Sequence, residues 1–278
     1  NHIGVRHRCF QILGALRRVS KNFLQFLEKS GLYFHEKLCT FVACFEHFVS
    51  SDKDTIFRKS YTTMKYDDSA LTLAQHLLRI KAVKLSPNAP FTWASGLKSP
   101  IYCDNRVTLS FPAVRTYIRQ QFVEKLMQNF GKPDVIAGVA TGGIAQGALV
   151  AQELGLPFVY VRSEKKSHGM QNQIEGVITP GQSVVVIEDL VSTGKSSLMA
   201  VDALREAGAE VKGMLAIFTY QMDLAKKNFE EKNCELVTLS NYETLIHKAV
   251  EEKYVSEEDV QSLKEWRKDQ QAWSDRWN

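Results

Sequence analysis

The chain has 278 residues, 44% of them apolar and 24% charged, a composition typical of a soluble globular protein with a substantial core. Five cysteines without a close-spaced pair argue against a disulfide framework or a zinc site and suit a reducing cytoplasm. No apolar stretch reaches bilayer-spanning length, so we expect no membrane partner. The net charge of +4 comes from residues 1–63, which hold ten Lys or Arg against five Asp or Glu. The remainder is near neutral and gives no reason to expect nucleic-acid binding.

The first 63 residues differ from the rest of the chain. The sequence begins with Asn, whereas Met64 resembles a natural protein start. We interpret residues 1–63 as a basic N-terminal extension, either upstream sequence translated through a misplaced start or a disordered segment. A transit peptide fits less well because of the five acidic residues, and a basic helical accessory remains open. The predicted organisation is this extension followed by one domain over residues 64–278.

Helical and extended patterns alternate from residue 64 onward. A helix is predicted after Ser69, a capping residue followed by apolar positions at helical spacing up to Ile80. A second helix is predicted from Ser110 to about Phe130, because Pro112 suits a first turn. The next predicted elements are a strand at 135–139, a turn at 141–143, a helix ending near Gly155 and a strand at 158–161.

The same alternation continues to the end of the chain. Further strands are predicted at residues 184–187 and 211–218, with a helix between them that ends near Gly208. Residues 256–259 predict the capped start of a last helix. Its apolar residues are Val260, Leu263, Trp266 and Trp273. Strands that alternate with helices predict an α/β fold with a parallel sheet and right-handed crossovers.

The most informative stretch is residues 184–197, where four β-forming residues lead into Glu188 and Asp189. A continuous apolar run indicates a strand buried on both faces. The carboxylates then lie at its carboxyl end, where α/β sheets place their ligands. The next turn, residues 192–194, supplies hydroxyls and backbone N–H groups at a helix start, which can hold a phosphate. A sugar phosphate suits such a site, because carboxylates accept hydrogen bonds from its hydroxyls and the turn binds its phosphate.

Two other interpretations of this stretch remain open. The triplet Gly194, Lys195 and Ser196 matches the end of a Walker A loop, but that loop needs glycine where this chain has Asp189. Alternatively, the acidic pair is incidental to an ordinary strand–turn–helix. Burying charge is costly unless the charge is used or paired, which disfavours this second interpretation.

The apolar run, the Glu-Asp pair and the Ser-Thr-Gly turn resemble the phosphoribosyl pyrophosphate (PRPP) motif of type I phosphoribosyltransferases. Residues 91–106 (FTWASGLKSPIYCDNR) and 162–169 (RSEKKSHG) resemble orotate phosphoribosyltransferases, in that family's order. The resemblance covers about residues 64–278. It implies a Rossmann-like parallel sheet with a small base-binding hood. It also implies transfer of the 5-phosphoribosyl group from PRPP to orotate, with Mg²⁺, in pyrimidine synthesis.

The resemblance and the residue chemistry together give a set of candidate site residues. We expect Glu188 and Asp189 to bind the ribose hydroxyls, where a carboxylate also favours positive charge developing on the sugar. Residues 190–196 are expected to wrap the 5′-phosphate, and by resemblance Ser192 also contacts orotate. The predicted PRPP-binding residues are Arg162, Lys166, His168, Glu188, Asp189, Leu190, Val191, Ser192, Thr193, Gly194, Lys195 and Ser196.

The polar stretch from Arg162 to Glu175 lacks apolar periodicity and is predicted to be a mobile lid. Its cations suit a pyrophosphate leaving group, although a solvated basic loop is the alternative. The resemblance implies a homodimer in which Lys166 and His168 complete the partner's site. His168 suits general acid catalysis, but binding ranks first. Lys166, His168 and Asp189 are the predicted catalytic residues, and Mg²⁺ is expected to bind mainly through PRPP, without protein ligands.

The sequence indicates less clearly which residues bind the base, which we call the base side of the site. Orotate is a planar anion, for which Phe91, Lys98 and Arg106 are available. The turn at residues 141–143 either binds pyrophosphate oxygens through backbone N–H groups or is simply a tight turn. At several positions, some family members have a lysine or an arginine that this chain lacks. These positions are Ala94, Gly142, Ser163 and residues 217–220.

Two other functions compete with orotate transfer. A purine phosphoribosyltransferase of the same fold is disfavoured by residues 93–106. A PRPP-sensing transcriptional regulator would need a DNA-binding domain in the extension. Only residues 17–22 approach a recognition helix there, and no convincing helix-turn-helix glycine precedes them.

Overall fold

The computed structural model describes residues 67–162 and 173–277, all of which belong to one unit, Tyr66–Asn278. The strands are β1 (Val83–Leu85), β2 (Phe91–Thr92), β3 (Lys98–Ser99), β4 (Ile101–Cys103), β5 (Val135–Val139), β6 (Phe158–Val161), β7 (Ile174–Glu175), β8 (Ser183–Val191), β9 (Glu210–Thr219) and β10 (Leu236–Asn241). The helices are α1 (Asp68–Arg79), α2 (Pro112–Asn129), α3 (Gly142–Leu154), α4 (Lys195–Glu206), α5 (Asp223–Glu231), α6 (Tyr242–Glu251), α7 (Glu257–Lys268) and α8 (Gln270–Ser274). The predicted boundary at residue 64 and the extension before it lie outside the described residues.

A six-stranded sheet in the order β10-β9-β8-β5-β6-β7 forms the centre of the fold. The five strands from β10 to β6 are parallel, and β7 pairs antiparallel with β6 at the edge. The predicted α/β fold is therefore confirmed. The prediction of a parallel sheet is corrected at one position, because the edge strand β7 is antiparallel. All five residues of β5 are buried, because helices cover both faces of the parallel strands.

The chain reverses its direction across the sheet between β5 and β8. From β5 it continues to β6 at one side, whereas from β8 it continues to β9 and β10 at the other. Right-handed crossovers in opposite directions place α3 and α4 on opposite faces. The carboxyl ends of β5 and β8 therefore flank a crevice of the kind in which open α/β sheets bind ligands.

Several predicted boundaries change in the structure. The first helix is capped by Asp67, whose carboxylate accepts from the Ser69 backbone N–H at 3.0 Å, so Ser69 is not the cap. The central strand runs to Val191, because its register with β9 continues past the acidic pair. The capping box at Ser256 is confirmed. Its helix ends before Asp269, which caps α8, so Trp273 lies on a separate helix.

Two small antiparallel pairs, β1 with β4 and β2 with β3, lie outside the main sheet. Trp266 of α7 joins this region to the sheet. Its ring lies 5.7 Å from Trp93, which follows β2, and 5.6 Å from Tyr220, which follows β9. Trp266 is fully buried. The C-terminal helices thus help to hold the small strand pairs beside the carboxyl end of the sheet. No helix among residues 67–162 and 173–277 is long and apolar enough to cross a membrane.

We expect Trp266→Ala to lower the free energy of unfolding by about 3–5 kcal/mol, because it leaves a large cavity between the sheet and the small strand pairs. Urea denaturation monitored by circular dichroism measures this change. Trp277→Ala is the matched control, since Trp277 is 40% exposed and should cost about 1 kcal/mol or less. Equal losses in the two variants would contradict the role assigned to Trp266.

Candidate active site

The two adjacent carboxylates of β8 lie near its carboxyl end and interact directly with each other. Glu188 faces α4 and is 4% exposed. Its Oε2 accepts from the Ser197 hydroxyl at 2.9 Å, and its Oε1 accepts from the Asp189 backbone N–H at 2.9 Å. Both oxygens of this buried carboxylate therefore have a donor from the chain itself.

Asp189 faces the first turn of α3. A Cβ placed on Gly142 would lie 2.1 Å from the Asp189 Cγ atom, so the carboxylate lies directly against the glycine backbone. Any side chain at Gly142 would displace this carboxylate. A cis peptide bond joins Ala140 to Thr141 just before the turn.

The environment of both carboxyls favours their protonated form. Burial raises the pKa of Glu188 well above its usual value, and the charge of Asp189 raises it further. Burial also raises the pKa of Asp189, while the nearby Arg106 acts in the opposite direction. A ligand that donates hydrogen bonds to this pair stabilises the carboxylate form that burial disfavours. A sugar diol is a ligand of that kind.

The turn after β8 leads directly into the first turn of α4. Gly194 adopts φ +78°, a left-handed conformation that favours glycine, and has no side chain with which to cap the helix. The first N–H groups of α4 are therefore not capped by Gly194 and lie in the position where helices bind anions. Lys195 and Ser196 are exposed and Ser192 and Thr193 are half-buried. This geometry suits the predicted phosphate-binding site.

Helix α5 supports this turn from outside the predicted motif. The Asn228 amide donates to the Thr193 carbonyl at 2.8 Å. The ring of Phe229 lies 2.7 Å from the position that a Cβ of Gly194 would occupy. Sequence analysis missed both residues, because nothing in their local pattern shows that α5 packs against the turn.

The segment between β4 and α2 lies beside Asp189. The Asn105 amide donates to the Asp189 carbonyl at 2.6 Å. Burial raises the pKa of the Cys103 thiol well above its usual value, and the charges of Asp189 and Asp104 add to this. Arg106 forms a two-point ion pair with Asp104, at 2.7 and 3.0 Å. The predicted base-side segment therefore lies beside the predicted sugar-binding carboxylate.

The other predicted base-side residues lie further along the small strands. Phe91 packs against Tyr102, with ring centroids 5.8 Å apart. The Lys98 ammonium donates to the Thr92 hydroxyl at 3.0 Å. Of the three predicted base-side groups, Arg106 is the one whose charge interacts with Asp189.

The ends of the predicted lid meet at the carboxyl end of β6. The Arg162 N–H donates to the Gln173 carbonyl at 2.9 Å, and the Gln173 amide donates back to the Arg162 carbonyl at 2.8 Å. Antiparallel pairing of β6 with β7 continues this connection. Arg162 also lies 3.5 Å from the Glu175 carboxylate. The predicted residues Lys166 and His168 lie outside the described residues, so their placement stays a prediction.

The structure thus brings together the predicted residues from Glu188 to Ser196 at one end of the sheet, while Arg162 directly follows β6 at the same end. Leu190 and Val191 are strand residues paired with Phe218 and Thr219. Within residues 67–162 and 173–277, no group of three or more His, Cys, Asp or Glu residues is arranged to hold a metal ion.

Comparison with known proteins agrees with this arrangement. Residues 112–254 match the model of the phosphoribosyl transferase domain. An orotate phosphoribosyltransferase of Listeria innocua is 60% identical over 201 residues, which cover 72% of this chain and 96% of that protein. The orotate phosphoribosyltransferase of Phocaeicola vulgatus is 56% identical over 200 residues, with 72% and 94% covered.

Solved structures show the same fold. An orotate phosphoribosyltransferase of Aeropyrum pernix has a TM-score of 0.58 at 30% identity, covering 63% of this chain and 97% of its own. The UMP synthase of Leishmania donovani has a TM-score of 0.62 at 23% identity, covering 75% of this chain and 44% of its own, which shows the fold alone. The sheet is that of a phosphoribosyltransferase domain. On the identities above, the chain belongs to the orotate phosphoribosyltransferase family.

We expect Glu188→Gln to raise the melting temperature by several degrees near neutral pH. The glutamine oxygen can still accept from the Asp189 N–H, and its amide can donate to the Ser197 hydroxyl oxygen, without a buried charge. The pKa of Glu188 is raised on folding, so the folded state binds its proton more tightly than the unfolded state. Stability from this group is therefore present at low pH and is lost as pH rises above about 4.5.

Thermal melting of both proteins at pH 5 and pH 8 measures the effect, and the advantage of the glutamine variant should be larger at pH 8. Glu210→Gln provides the control, because Glu210 is exposed and its replacement should change stability by less than about 0.5 kcal/mol. A glutamine variant at position 188 that is less stable than the parent at pH 8 would contradict the assignment.

Proposed function

We propose that the protein transfers the 5-phosphoribosyl group of PRPP to orotate, which yields orotidine 5′-phosphate and pyrophosphate for pyrimidine nucleotide synthesis. The observation that carries this proposal is the buried carboxylate pair of β8, followed directly by an uncapped helix start. This arrangement offers acceptors to a sugar diol and donors to its phosphate. The family membership supports orotate as the acceptor base.

The transition state of this reaction has positive charge on the ribose ring, so no enzyme nucleophile is needed. Asp189, half-buried at the crevice, stabilises that charge and accepts from the ribose hydroxyls together with Glu188. The turn and first helical residues hold the 5′-phosphate through backbone N–H groups and the hydroxyls of Ser192, Thr193 and Ser196. Fixing the sugar between these groups supplies most of the orientation that the reaction needs.

The leaving pyrophosphate carries high negative charge. Arg162, Lys166 and His168 bind it when the lid closes, because charge-assisted hydrogen bonds strengthen as water is excluded. When bound, Mg²⁺ would neutralise charge on the pyrophosphate, and we expect it to bind mainly through PRPP oxygens, without ligands from the protein.

Orotate binds next to the sugar, on the side of the β4–α2 segment. Ser192 contacts it from the turn, and the contacts between Asn105, Arg106 and Asp189 support this placement of the base. We further propose a cytoplasmic homodimer whose lid, residues 162–175, completes the partner's site. The free thiols of Cys103 and Cys234 suit a reducing compartment.

A direct assay tests the function. The 278-residue protein, and the polypeptide that starts at Met64, are each mixed with orotate, PRPP and Mg²⁺. The loss of orotate absorbance is followed together with pyrophosphate release. We expect equal turnover from both polypeptides and a loss of activity on chelation of Mg²⁺. Absence of turnover with orotate, combined with turnover of a purine base, would contradict the proposal.

Replacing both carboxylates, Glu188→Ala with Asp189→Ala, should lower kcat/KM by at least about 10³-fold, because the ribose loses its acceptors and the transition state loses a stabilising charge. The same assay measures the loss. Circular dichroism serves as the control that the fold is retained. Activity within tenfold of the parent protein would refute the assignment of the diol site.

Lys166→Ala should lower the single-turnover rate of transfer by about 10²-fold and leave orotate affinity nearly unchanged, because this lysine acts on the departing pyrophosphate. Rapid-quench kinetics separates the two quantities. Lys227→Ala is a matched control, since Lys227 is an exposed lysine of α5. If orotate affinity alone changes, the lid lysine does not act on the leaving group.

A further inference from the structure

A serine just beyond the predicted motif is bonded to one of the two site carboxylates. Ser197 is the third residue of α4 and is 1% exposed. Its hydroxyl donates to the Glu188 Oε2 atom at 2.9 Å. The motif resemblance ends at Ser196, and neither the sequence patterns nor the comparisons give Ser197 a role.

This hydrogen bond spans the segment that would bind the phosphate. Glu188 lies before that segment, on β8, and Ser197 lies after it, on α4. The bond therefore fixes the start of the helix relative to the end of the strand. Asn228 and Phe229 hold the middle of the same segment from α5. The backbone donors between residues 190 and 196 are in this way held in place before any ligand arrives.

The bond also controls the carboxylate itself. The other oxygen of Glu188 is occupied by the Asp189 backbone N–H. Without the Ser197 hydroxyl, Oε2 would be a buried acceptor with no donor in this arrangement, and the side chain would have to rotate or take up a proton. Either change alters the acceptors offered to the ribose.

We propose that Ser197 is a positioning residue of the phosphoribosyl site, which acts through Glu188 to hold the diol acceptor and the phosphate-binding turn in their productive arrangement. This inference rests on the proposed function. In this inference, a residue outside the PRPP motif pre-organises the site for the sugar phosphate. Because Ser197 contacts Glu188 and the turn region, whereas the proposed orotate side is the β4–α2 segment beside Asp189, we expect an effect on PRPP and not on the base.

The test compares Ser197→Ala with Ser240→Ala. Ser240 is a matched control, since it is also 1% exposed and its hydroxyl donates to the Ala70 carbonyl at 2.9 Å, on the edge strand β10. For Ser197→Ala we expect kcat/KM for PRPP to fall by about 10- to 100-fold, the loss typical of one buried hydrogen bond to a charged group. The KM for orotate should stay within about twofold.

Two further variants separate positioning from folding. Ser197→Thr keeps the hydroxyl and should restore most of the PRPP kinetics, whereas Ser197→Cys keeps the size, donates weakly and should retain the defect. Ser240→Ala should also lower the melting temperature but leave the PRPP kinetics unchanged. If Ser197→Ala does not fold, the cysteine and threonine variants decide the question.

The inference is overturned if Ser197→Ala, or the cysteine variant in its place, has the PRPP kinetics of the parent protein. It is also overturned if Ser240→Ala shows the same kinetic loss, or if orotate KM changes as much as PRPP KM. The parent protein itself separates this inference from the proposed function. A parent that does not turn over orotate with PRPP refutes the function, whereas an active parent matched by the alanine variant refutes the role of Ser197 alone.

Discussion

The burial of two adjacent carboxyls at the end of the central strand is the constraint on which the site depends. Removing Glu188 from water is unfavourable unless donors are arranged around it. The chain supplies the Asp189 backbone N–H and the Ser197 hydroxyl, and thereby ties the strand to the helix that follows. The neighbouring Asp189 carboxylate lies against the backbone of Gly142, at the first turn of α3. One pair of residues thus organises both sides of the crevice.

Two separate parts of the chain support this pair and the turn after it. The β4–α2 segment reaches the Asp189 carbonyl through Asn105, and α5 reaches the turn through Asn228. Each contact is made at the carboxyl edge of the sheet, where the connections leave the strands. The parallel sheet therefore acts as a rigid scaffold for the connections at this edge, which can differ in mobility. This is the usual arrangement in α/β proteins, where the connections that follow the strands carry the site.

Local sequence signals correctly predicted those helices and strands for which all the nearby residues indicate the same structure. Continuous apolar runs gave β5 and β6 at their observed bounds, and the capping box at Ser256 gave the start of α7. Where two local signals competed, the prediction was wrong. Asp67 and Ser69 are both capping residues, and only the contacts of the folded chain select Asp67. Asp269 ends one helix and caps the next, which the apolar spacing of Trp266 and Trp273 conceals.

The sequence by itself determined the α/β class and the chemistry of the Glu188–Ser196 stretch, because these depend on neighbouring residues and on periodicity along the chain. The tertiary structure alone decided that Glu188 contacts Ser197 of α4 and that Asp189 contacts the first turn of α3. It also decided the supporting contacts of Asn105 and Asn228. Asn105 and Asn228 meet the site from positions that are distant in the chain. No local pattern encodes which distant groups are brought together when strands align and helices pack across them.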